Sequence, residues 1–410
     1  MIKDRDFIVF SLQAWDIAIG SNCKNIALEF AKHNRVLYVN SPLDRSTLWL
    51  HRKDEQVKKR IEILNGRSDD LVRVGPNLWT LYPGTLLESI SRISWNALFD
   101  VGNKLNNRRL AKEINSAIRR LGFSNYLFFN DSNMFRGFYL KELINPELYV
   151  YYSRDNLLAI NFWKHQGKRI EPQLMGKSDL VVANSAYLAD IARKYNPNSR
   201  YVGQGCDLSL YDRKMITTVP ADIAAIPYPV IGYTGVLFSS RLDIEIIHFL
   251  ASQHPRWHIV LIGPEDNDFR KSELHAFPNV HFLGNKTPEE LPAYVNRFDV
   301  AINPQRLNEL TIGNYPRKID EYLAMGKPVV AIKTEAMSVF SAFSGLAENK
   351  EEFSLLVEKA ILEDSPEREV QREIFARGHS WETSVGLIYQ AMDEAIAQKK
   401  MKEGSPVRIN

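Results

Sequence analysis

Short apolar runs alternate along the chain with segments in which apolar residues return every three or four positions. The short runs have the length of strands, and the segments between them have the periodicity of amphipathic helices. This alternation is typical of parallel sheets joined by crossover helices, so the predicted fold class is α/β. In the first half, strands are predicted at 6–12, 36–40, 78–82, 126–130, 148–152, 180–184 and 200–203.

Two helices are predicted in the first half, a crossover helix over 25–33 and a longer helix over 104–121. The longer helix separates apolar from basic residues, as expected for a helix with one face on the core. Its apolar face is predicted to contain Leu105, Leu110, Ile114, Ile118 and Leu121. Its other face contains Lys104, Arg108, Lys112 and Arg119.

The same pattern starts again after residues 213–228, which contain two prolines and no clear period and are therefore interpreted as a linker. A restart predicts two doubly wound, Rossmann-like domains, 1–212 and 229–380, facing a central cleft. A last helix from about 381 is long enough to cross back to the first domain, before a tail that ends at 410. Strands are predicted at 230–233, 259–262, 280–283, 300–303 and 329–332, with helices at 243–252, 288–297, 317–325 and 351–363.

Length and composition agree with two ordinary globular domains. The 410 residues exceed the roughly 250–300 at which a single core stops growing. Two cysteines without metal or redox spacing, and a start that runs directly into a strand, favour a cytoplasmic protein. No apolar run approaches the ~18 residues of a membrane-spanning helix.

Charge is unevenly distributed between the two halves. Residues 1–212 carry 30 Lys and Arg against 22 Asp and Glu, whereas the remainder carries 22 against 27. A basic half favours an anionic partner, such as a membrane surface or a phosphate-bearing acceptor. Uneven surface charge without a function is the alternative. Nucleic-acid binding has only this charge in its favour, because no recognition motif accompanies it.

The segment 303–330 carries the strongest chemical signal. A predicted strand leads into a loop at 311–315, and Pro316 suits the first turn of a helix. A strand, a small-residue loop and a helix N-terminus together favour a bound phosphate. Lys318 and Glu321 share one helix face, where the cation would meet a diphosphate and the carboxylate a ribose. An ordinary ion pair between them is the alternative.

Residues 321–330, with the sequence Glu-Tyr-Leu-Ala-Met-Gly-Lys-Pro-Val-Val, resemble the donor-site signature of retaining GT-B glycosyltransferases. The segments 229–235, 260–264, 279–284 and 377–381 resemble further parts of that domain in the same order. The resemblance covers 229–395 and is nearest to polysaccharide- and teichuronic-acid-type transferases. It implies a GT-B fold and a nucleotide-sugar donor as co-substrate, with no cofactor. Its donor-binding residues here would be Gly235, Gly263, Gly284, Thr311, Gly313, Asn314, Tyr315, Lys318 and Glu321.

The sequence also departs from that family. The family usually has a second Glu eight positions before the first, and Gly313 occupies that position here. Arg241 is a candidate second cation, which with Lys318 would stabilise the leaving diphosphate without a metal. The triplet that begins at Asp266 and ends at Asp268 matches some metal sites, but it follows a Gly-Pro turn and turn chemistry is the favoured explanation.

In the first domain, polar residues that follow predicted strands are candidates for the acceptor side. We expect Gly20, Asn130 and Arg154 to contact the acceptor and Asp131 or Asp155 to act on its hydroxyl, with helix capping as the alternative. A further carboxylate, that of Glu171, is a weaker candidate of the same kind.

A membrane surface is a further candidate partner of the first domain. Trp49, Trp95 and the stretch 86–98 carry aromatic and apolar residues flanked by basic ones, which suits an interfacial helix. Core packing is the alternative for these residues.

The predicted function is therefore sugar transfer with retention, from a nucleotide diphosphate donor to an acceptor hydroxyl, in the synthesis of a cell-surface polysaccharide or a lipid-linked glycan. A cytoplasmic protein that acts peripherally on the membrane suits such an acceptor. A GT-B-fold sugar-nucleotide epimerase and a non-catalytic nucleotide-sugar-binding scaffold are the alternatives.

Overall fold

The computed structural model describes residues 1–16 and 21–404, with side chains up to 401. The chain divides into two compact units. Unit 1 contains residues 1–203 and the chain from Trp381 onward, and unit 2 contains Gln204–Ser380.

Unit 1 contains an eight-stranded sheet within the described residues, and every pair of neighbours in it is parallel except the first. The strand order is β3-β4-β2-β1-β5-β6-β7-β8. Helices pack on both faces because the central strands are apolar on both sides. The strands are β1 (Asp6–Ser11), β2 (Arg35–Val39), β3 (Leu71–Gly75), β4 (Leu78–Leu81), β5 (Leu127–Asp131), β6 (Leu148–Ser153), β7 (Leu180–Ala183) and β8 (Ser199–Tyr201).

The helices of the first 203 residues connect these strands. They are α1 (Asn22–Ala31), α2 (Arg45–Leu50), α3 (Glu55–Leu64), α4 (Asn96–Leu121), α5 (Leu140–Ile144), α6 (Asn161–Lys177) and α7 (Ala186–Arg193).

The long helix α4 differs from its prediction. It begins eight residues earlier than expected, at Asn96. Leu110 and Ile114 are buried as predicted, but Leu105 is 40% exposed and does not lie on the core face. The reason is that buried asparagines occupy part of the face that packs on the core. The apolar residues alone therefore do not define that face. The inner-face asparagines are Asn103, Asn106 and Asn107.

Unit 2 contains a six-stranded sheet of parallel strands in the order β11-β10-β9-β12-β13-β14. Its strands are β9 (Val230–Thr234), β10 (His258–Ile262), β11 (Val280–Phe282), β12 (Val300–Asn303), β13 (Val329–Ile332) and β14 (Ser344–Ala347). Its helices are α8 (Ala221–Ala224), α9 (Ile244–Gln253), α10 (Asn267–Arg270), α11 (Leu291–Asn296), α12 (Lys318–Ala324), α13 (Lys350–Glu363) and α14 (Pro366–Arg377).

The segment 213–228 is not an exposed linker. Ile223 is completely buried and Ile226 nearly so, and both belong to the apolar core of unit 2. The boundary between the units lies at 203/204, nine residues before the expected one. The segment was interpreted as a linker because its prolines interrupt the helical period. An interrupted period does not prevent the side chains from packing on a core.

After unit 2 the chain returns to unit 1 as α15 (Trp381–Gly404). Ile388 is completely buried, and the Tyr389 ring lies 5.3 Å from that of Phe30 on α1. This helix therefore completes one apolar layer of unit 1. Over the described residues, the helices are too short or too polar to cross a bilayer.

Candidate functional site

Glycines terminate three neighbouring strands of unit 2. The amide of Gly235, after β9, donates to the Ile262 carbonyl at 2.8 Å, and the amide of Gly263, after β10, donates to the Gly284 carbonyl at 2.8 Å. Gly235 and Gly263 have φ angles of +130° and +145°. A Cβ on Gly263 would lie 1.9 Å from the Gly235 carbonyl oxygen. This distance is a steric clash, so only glycine fits at position 263. The strand ends therefore lie against each other with little side-chain cover.

Lys318, the first residue of α12, reaches this glycine edge. Its Nζ donates to the Tyr233 hydroxyl at 2.8 Å and lies 4.5 Å from the centre of the Tyr233 ring. A Cβ on Gly235 would lie 2.9 Å from the same Nζ. Burial lowers the pKa of Lys318, and the charge of Arg241 acts in the same direction. No carboxylate of the described chain lies within 4 Å of this ammonium.

Glu321 lies one turn further along α12 and is partly buried. Its Oε2 accepts a hydrogen bond from the Tyr211 hydroxyl at 3.2 Å. Burial raises the pKa of Glu321, and the charges of Arg317 and Lys318 oppose that rise. Glu321 and Lys318 thus influence each other through space but do not form the direct ion pair considered as the alternative.

The loop between β12 and α12 is held by its own polar groups. Thr311 is buried, its amide donates to Asn308 Oδ1 at 3.1 Å, and its carbonyl accepts from Gln305 Nε2 at 2.9 Å. Two buried amide atoms here, Asn303 Nδ2 and Asn314 Oδ1, have no hydrogen-bond partner within the described residues. Unpaired buried polar atoms are costly, so they favour a ligand that pairs with them.

The helix after this loop begins later than predicted. It starts at Lys318 instead of Pro316, whose carbonyl accepts from the Ile319 amide at 3.0 Å. The helix has seven residues, and no side chain caps its start. Because this helix is short, its dipole contributes little positive potential to the site. The Lys318 ammonium is the main positive group there.

Tyr315 contacts two residues that sequence reasoning missed. Its hydroxyl donates to Asp320 Oδ2 at 2.9 Å, and His379 Nδ1 lies 2.7 Å from Asp320 Oδ1. Asp320 is completely buried, which raises its pKa, while the bond to His379 opposes that rise. The signal for His379 was its place in the segment 377–381, but nothing in the sequence pointed to its pairing with Asp320.

Arg241 is exposed at the edge of this site. Its main chain pairs with the Phe238 carbonyl and the Arg306 amide, both at 2.8 Å. Its charge and that of Arg317, a residue that no sequence motif indicated, both lower the pKa of Lys318. The site therefore combines the cations of Lys318, Arg241 and Arg317 with the partly buried carboxylate of Glu321.

The acidic triplet caps a helix. Asp266 Oδ1 accepts from the Phe269 amide at 2.9 Å, and its Oδ2 accepts from the Ser239 amide at 2.7 Å. Asp268 accepts from the Ser239 hydroxyl at 2.6 Å. In the described part of the chain, no three His, Cys, Asp or Glu side chains are grouped to hold a metal ion.

The acceptor-side candidates of unit 1 form a closed network. Asp131 is completely buried, where its Oδ1 accepts from Arg154 Nε at 2.7 Å and its Oδ2 from the Ser11 hydroxyl at 3.2 Å. Arg154 also donates to Asp155 at 2.8 Å. Asp131 is thus buried in an ion pair with Arg154, and its action on an acceptor hydroxyl stays a prediction. Asp155 keeps 44% of its side chain exposed.

Asn130 and Glu171 are likewise buried, and both are held by tyrosine hydroxyls. Asn130 Nδ2 donates to the Tyr149 hydroxyl at 3.0 Å, and Glu171 accepts from the Tyr151 hydroxyl at 2.7 Å. Burial raises the pKa of Glu171 to about 7. Gly20, the remaining candidate, lies outside the described residues.

A cavity of about 510 Å³ lies elsewhere in unit 2. Its wall includes Val329 and Ser344, at the amino ends of β13 and β14, and residues of α13 and α14. It contains none of the predicted donor residues, which lie at the opposite ends of the strands.

Comparison with known proteins matches the part of unit 2 that contains the candidate site. Residues 228–359 match the family model described as "Glycosyl transferases group 1". A Bacillus subtilis (strain 168) protein, TuaH, named as a glycosyltransferase of teichuronic acid biosynthesis, is 26% identical over 242 residues, which cover 56% of this chain and 60% of TuaH. A phosphatidyl-myo-inositol mannosyltransferase of Propionibacterium freudenreichii is 26% identical over 185 residues, 44% of each chain. The chain thus spans about half the length of these relatives.

Solved structures show the fold. Sucrose-phosphate synthase from Thermosynechococcus elongatus has a TM-score of 0.64 at 14% identity, with 96% of this chain and 100% of that chain covered. Anabaena HepE, solved in complex with UDP and glucose, has a TM-score of 0.61 at 16% identity, with 95% and 100% covered. The two sheets are those of the GT-B fold, and within the chain residues 228–359 match the group 1 glycosyl transferase model.

Proposed function

We propose that this protein transfers a sugar from a nucleoside diphosphate donor to an acceptor hydroxyl, with unit 2 holding the donor. The observation that carries the proposal is the Lys318 ammonium, which lies beside Gly235 at the strand ends without a carboxylate of the described chain within 4 Å. A partly buried cation of this kind is stabilised by an anion. The glycines beside it leave room for a diphosphate to approach the backbone.

In this proposal the cations act on the leaving group. When the bond between the anomeric carbon and the diphosphate oxygen breaks, its electron pair goes to the diphosphate. Lys318 and Arg241 stabilise that developing charge, as a divalent ion does in other transferases. The transfer is therefore proposed to proceed without a metal. Retention of configuration is proposed from the resemblance of 321–330 to retaining enzymes.

Glu321 and the loop amides are proposed to bind the nucleoside. A carboxylate accepts hydrogen bonds from both hydroxyls of a ribose, and the Glu321 carboxylate has only the Tyr211 hydroxyl as a hydrogen-bond partner in the described structure. The loop between β12 and α12 and the strand end before it add one unpaired acceptor, Asn314 Oδ1, and one unpaired donor, Asn303 Nδ2. The UDP in the HepE structure supports a nucleoside diphosphate as the ligand class.

The acceptor is proposed to be a cell-surface polymer or a lipid-linked glycan. The names of the two curated relatives support this class, since one refers to teichuronic acid and the other to phosphatidyl-myo-inositol. An acceptor carried on a lipid would bring the protein to the inner face of a membrane, as a peripheral protein of the cytoplasm.

Donor binding is tested by thermal shift with a panel of nucleoside diphosphates in the presence of EDTA. At least one diphosphate is expected to raise the melting temperature, since a ligand stabilises in proportion to RT ln(1 + [L]/Kd). Glu321→Gln is expected to weaken that ligand by about 1–3 kcal/mol, because it removes the charge that ribose hydroxyls meet. The matched control is Lys327→Gln, which removes a partly buried cation just beyond the other end of α12.

Stabilisation that appears only with Mn²⁺ or Mg²⁺ and disappears with EDTA would overturn the metal-free part of the proposal. The products of an incubation with the bound nucleotide sugar separate the alternatives. Transfer or slow hydrolysis supports a transferase, an epimerised sugar supports an epimerase, and an unchanged donor with every acceptor tried supports a binding scaffold.

A further inference from the structure

The helix α4 of unit 1 carries a second apolar face, which the described part of the unit leaves uncovered. Phe99 and Ile114 lie in the core, but Leu98 is 49% exposed and Val101 is 69% exposed. Trp95, immediately before the helix, is 69% exposed. These residues are spaced by three, so they lie along one side of the first turns. Burying such side chains is favourable, which makes their exposure informative.

Two neighbouring segments add to this apolar face. The start of α6 lies against α4, because Gln166 Nε2 donates to the Ile93 carbonyl at 3.0 Å and to Asn96 Oδ1 at 3.2 Å. Just before that helix contact, Ile160 and Phe162 are 42% and 50% exposed. This second segment therefore presents apolar side chains beside those of α4.

The third segment is α2. Glu88 pairs with Arg45 at the start of α2 and with Arg109 of α4, at 2.7 Å and 2.9 Å. Trp49 and Leu50, at the end of α2, are 79% and 59% exposed. We call the combined set the apolar surface; it consists of Trp49, Leu50, Trp95, Leu98, Val101, Leu105, Ile160 and Phe162.

Basic residues continue the outer side of α4 where the apolar ones end. Lys104, Arg108, Lys112 and Arg119 are all exposed, and within the described residues none has a carboxylate partner within 4 Å. Residues 91–119 carry six Lys and Arg against two Asp and Glu. One of these two carboxylates, Asp100, is already paired with Arg169. This side of unit 1 is thus both apolar and positively charged.

The charge decides between the occupants of such a surface. In a symmetric pair of copies, each basic helix would face the same basic helix, and like charges repel. Protein interfaces are also depleted in lysine at their centres. An anionic bilayer meets both properties, because tryptophan and aliphatic side chains enter the headgroup region while lysine and arginine meet lipid phosphates.

We propose that the apolar surface and the basic side of α4 dock unit 1 onto an anionic lipid bilayer. The proposal concerns lipid binding and does not depend on sugar transfer, so its failure would leave donor binding and transfer untouched and would count only against a membrane-borne acceptor. It corrects the expectation for the stretch 86–98, in which Ile90 is buried and Ile93 packs on the core, as the core-packing alternative held. The residues that reach outward are those before and along α4.

Sedimentation with vesicles of phosphatidylcholine, with and without phosphatidylglycerol, is the test. The protein is expected to bind only the phosphatidylglycerol vesicles and to be released as salt rises. Trp95→Ser with Val101→Ser, and separately Lys104→Glu with Arg108→Glu, are each expected to weaken binding at least about tenfold. Matched controls in unit 2 are Leu355→Ser with Leu362→Ser and Arg270→Glu with Lys271→Glu, all at exposed positions.

All variants change exposed side chains, and unaltered melting temperatures will show that they fold. Equal binding to both vesicle types, or loss in the unit 2 controls as large as in the unit 1 variants, would overturn the proposal. A dimer in sedimentation equilibrium that Trp95→Ser with Val101→Ser dissociates would assign the surface to a second copy instead.

Discussion

The carboxyl ends of the strands are built differently in the two units. In unit 1, Asp131 ends β5 and is buried under Arg154, so opposite charges satisfy each other inside the fold. In unit 2, glycines end β9 and β10, and the Lys318 ammonium beside them has no carboxylate partner in the described structure. The difference teaches that polar residues at strand ends do not by themselves indicate a site. What distinguishes unit 2 is a partly buried cation that has no carboxylate partner among the described residues.

The neutral polar groups do not divide the two units in this way. Asn130 of unit 1 is completely buried and bonded through both ends of its side chain, to Tyr149 and to the Asn133 amide. Among the described residues, however, both units keep buried amide atoms without a partner, such as those of Asn103 and Asn133 in unit 1 and those of Asn303 and Asn314 in unit 2. Satisfied polar groups stabilise a fold, whereas unsatisfied ones cost stability unless a ligand pairs with them.

The closed network of unit 1 is tested most strongly by Asp131→Ala. Removing one partner of a buried pair leaves the other charge uncompensated, so unit 1 is expected to lose about 3–5 kcal/mol. Asp155→Ala is the matched control, and it should cost less than about 1 kcal/mol because 44% of the Asp155 side chain is exposed to solvent. Urea unfolding followed by tryptophan fluorescence suits the measurement, since six of the seven tryptophans belong to unit 1. Equal losses in the two variants would mean that Asp155 holds Arg154 as firmly as Asp131 does.

Glu171 tests the same side of the comparison through pH. Burial raises its pKa to about 7, so the folded state holds its proton more tightly than the unfolded state. The stability it contributes is present below about pH 4.5 and is lost as pH rises through 7, by about 3 kcal/mol. Glu171→Gln should therefore be more stable than the wild type at pH 8 and similar at pH 4.5.

The measurement is the unfolding free energy of both proteins between pH 4.5 and 8.5, with the exposed Glu62→Gln as control. Parallel pH profiles for the wild type and Glu171→Gln would show that Glu171 is ionised without penalty in the fold.

The sequence was sufficient for elements that are apolar on both faces. Strands such as β1 and β9 are completely buried, and their apolar runs predicted them within one or two residues. The edge strand β3 was missed because it is not a buried apolar run: its Val72 and Val74 are exposed and Arg73 lies between them. The helix α6 was missed because it contains Pro172, which normally interrupts a helix.

The candidate site was predictable only where its residues are close in sequence. The spacing of Lys318 and Glu321 placed both on one helix face, and the resemblance added the glycines. Their partners, Tyr233 and Tyr211, lie 85 and 110 residues away in the chain, so spacing could not supply them. The same holds for Asp131, whose burial depends on Arg154, 23 residues further on.

Gly263→Ala tests the open strand ends of unit 2. The new Cβ would meet the Gly235 carbonyl oxygen, which is backbone and cannot move aside cheaply, so a loss of about 2–3 kcal/mol is expected. Gly284→Ala is the matched control, because its φ is also positive but its Cβ would meet no atom within 4 Å. Backbone strain alone should cost about 1 kcal/mol there. Calorimetry of the unit 2 transition measures both, and equal losses would mean that the two loops are not in contact.

The smallest effect is expected at Asp266, the acidic residue after β10. Its side chain accepts from the amides of Ser239, Asp268 and Phe269, so it is occupied by the turn and by the start of α10. Asp266→Ala should cost about 1 kcal/mol, as the loss of a helix cap does. Affinity for a nucleoside diphosphate should not change, with or without Mn²⁺, whereas Lys318→Gln should weaken it. Calorimetric titration of both variants in EDTA and in Mn²⁺ measures this contrast. If Asp266→Ala abolished a Mn²⁺-dependent part of the affinity, a metal ion held by Asp266 would neutralise the charge of the diphosphate. The unpaired Lys318 would then not be what distinguishes the strand ends of unit 2 from those of unit 1.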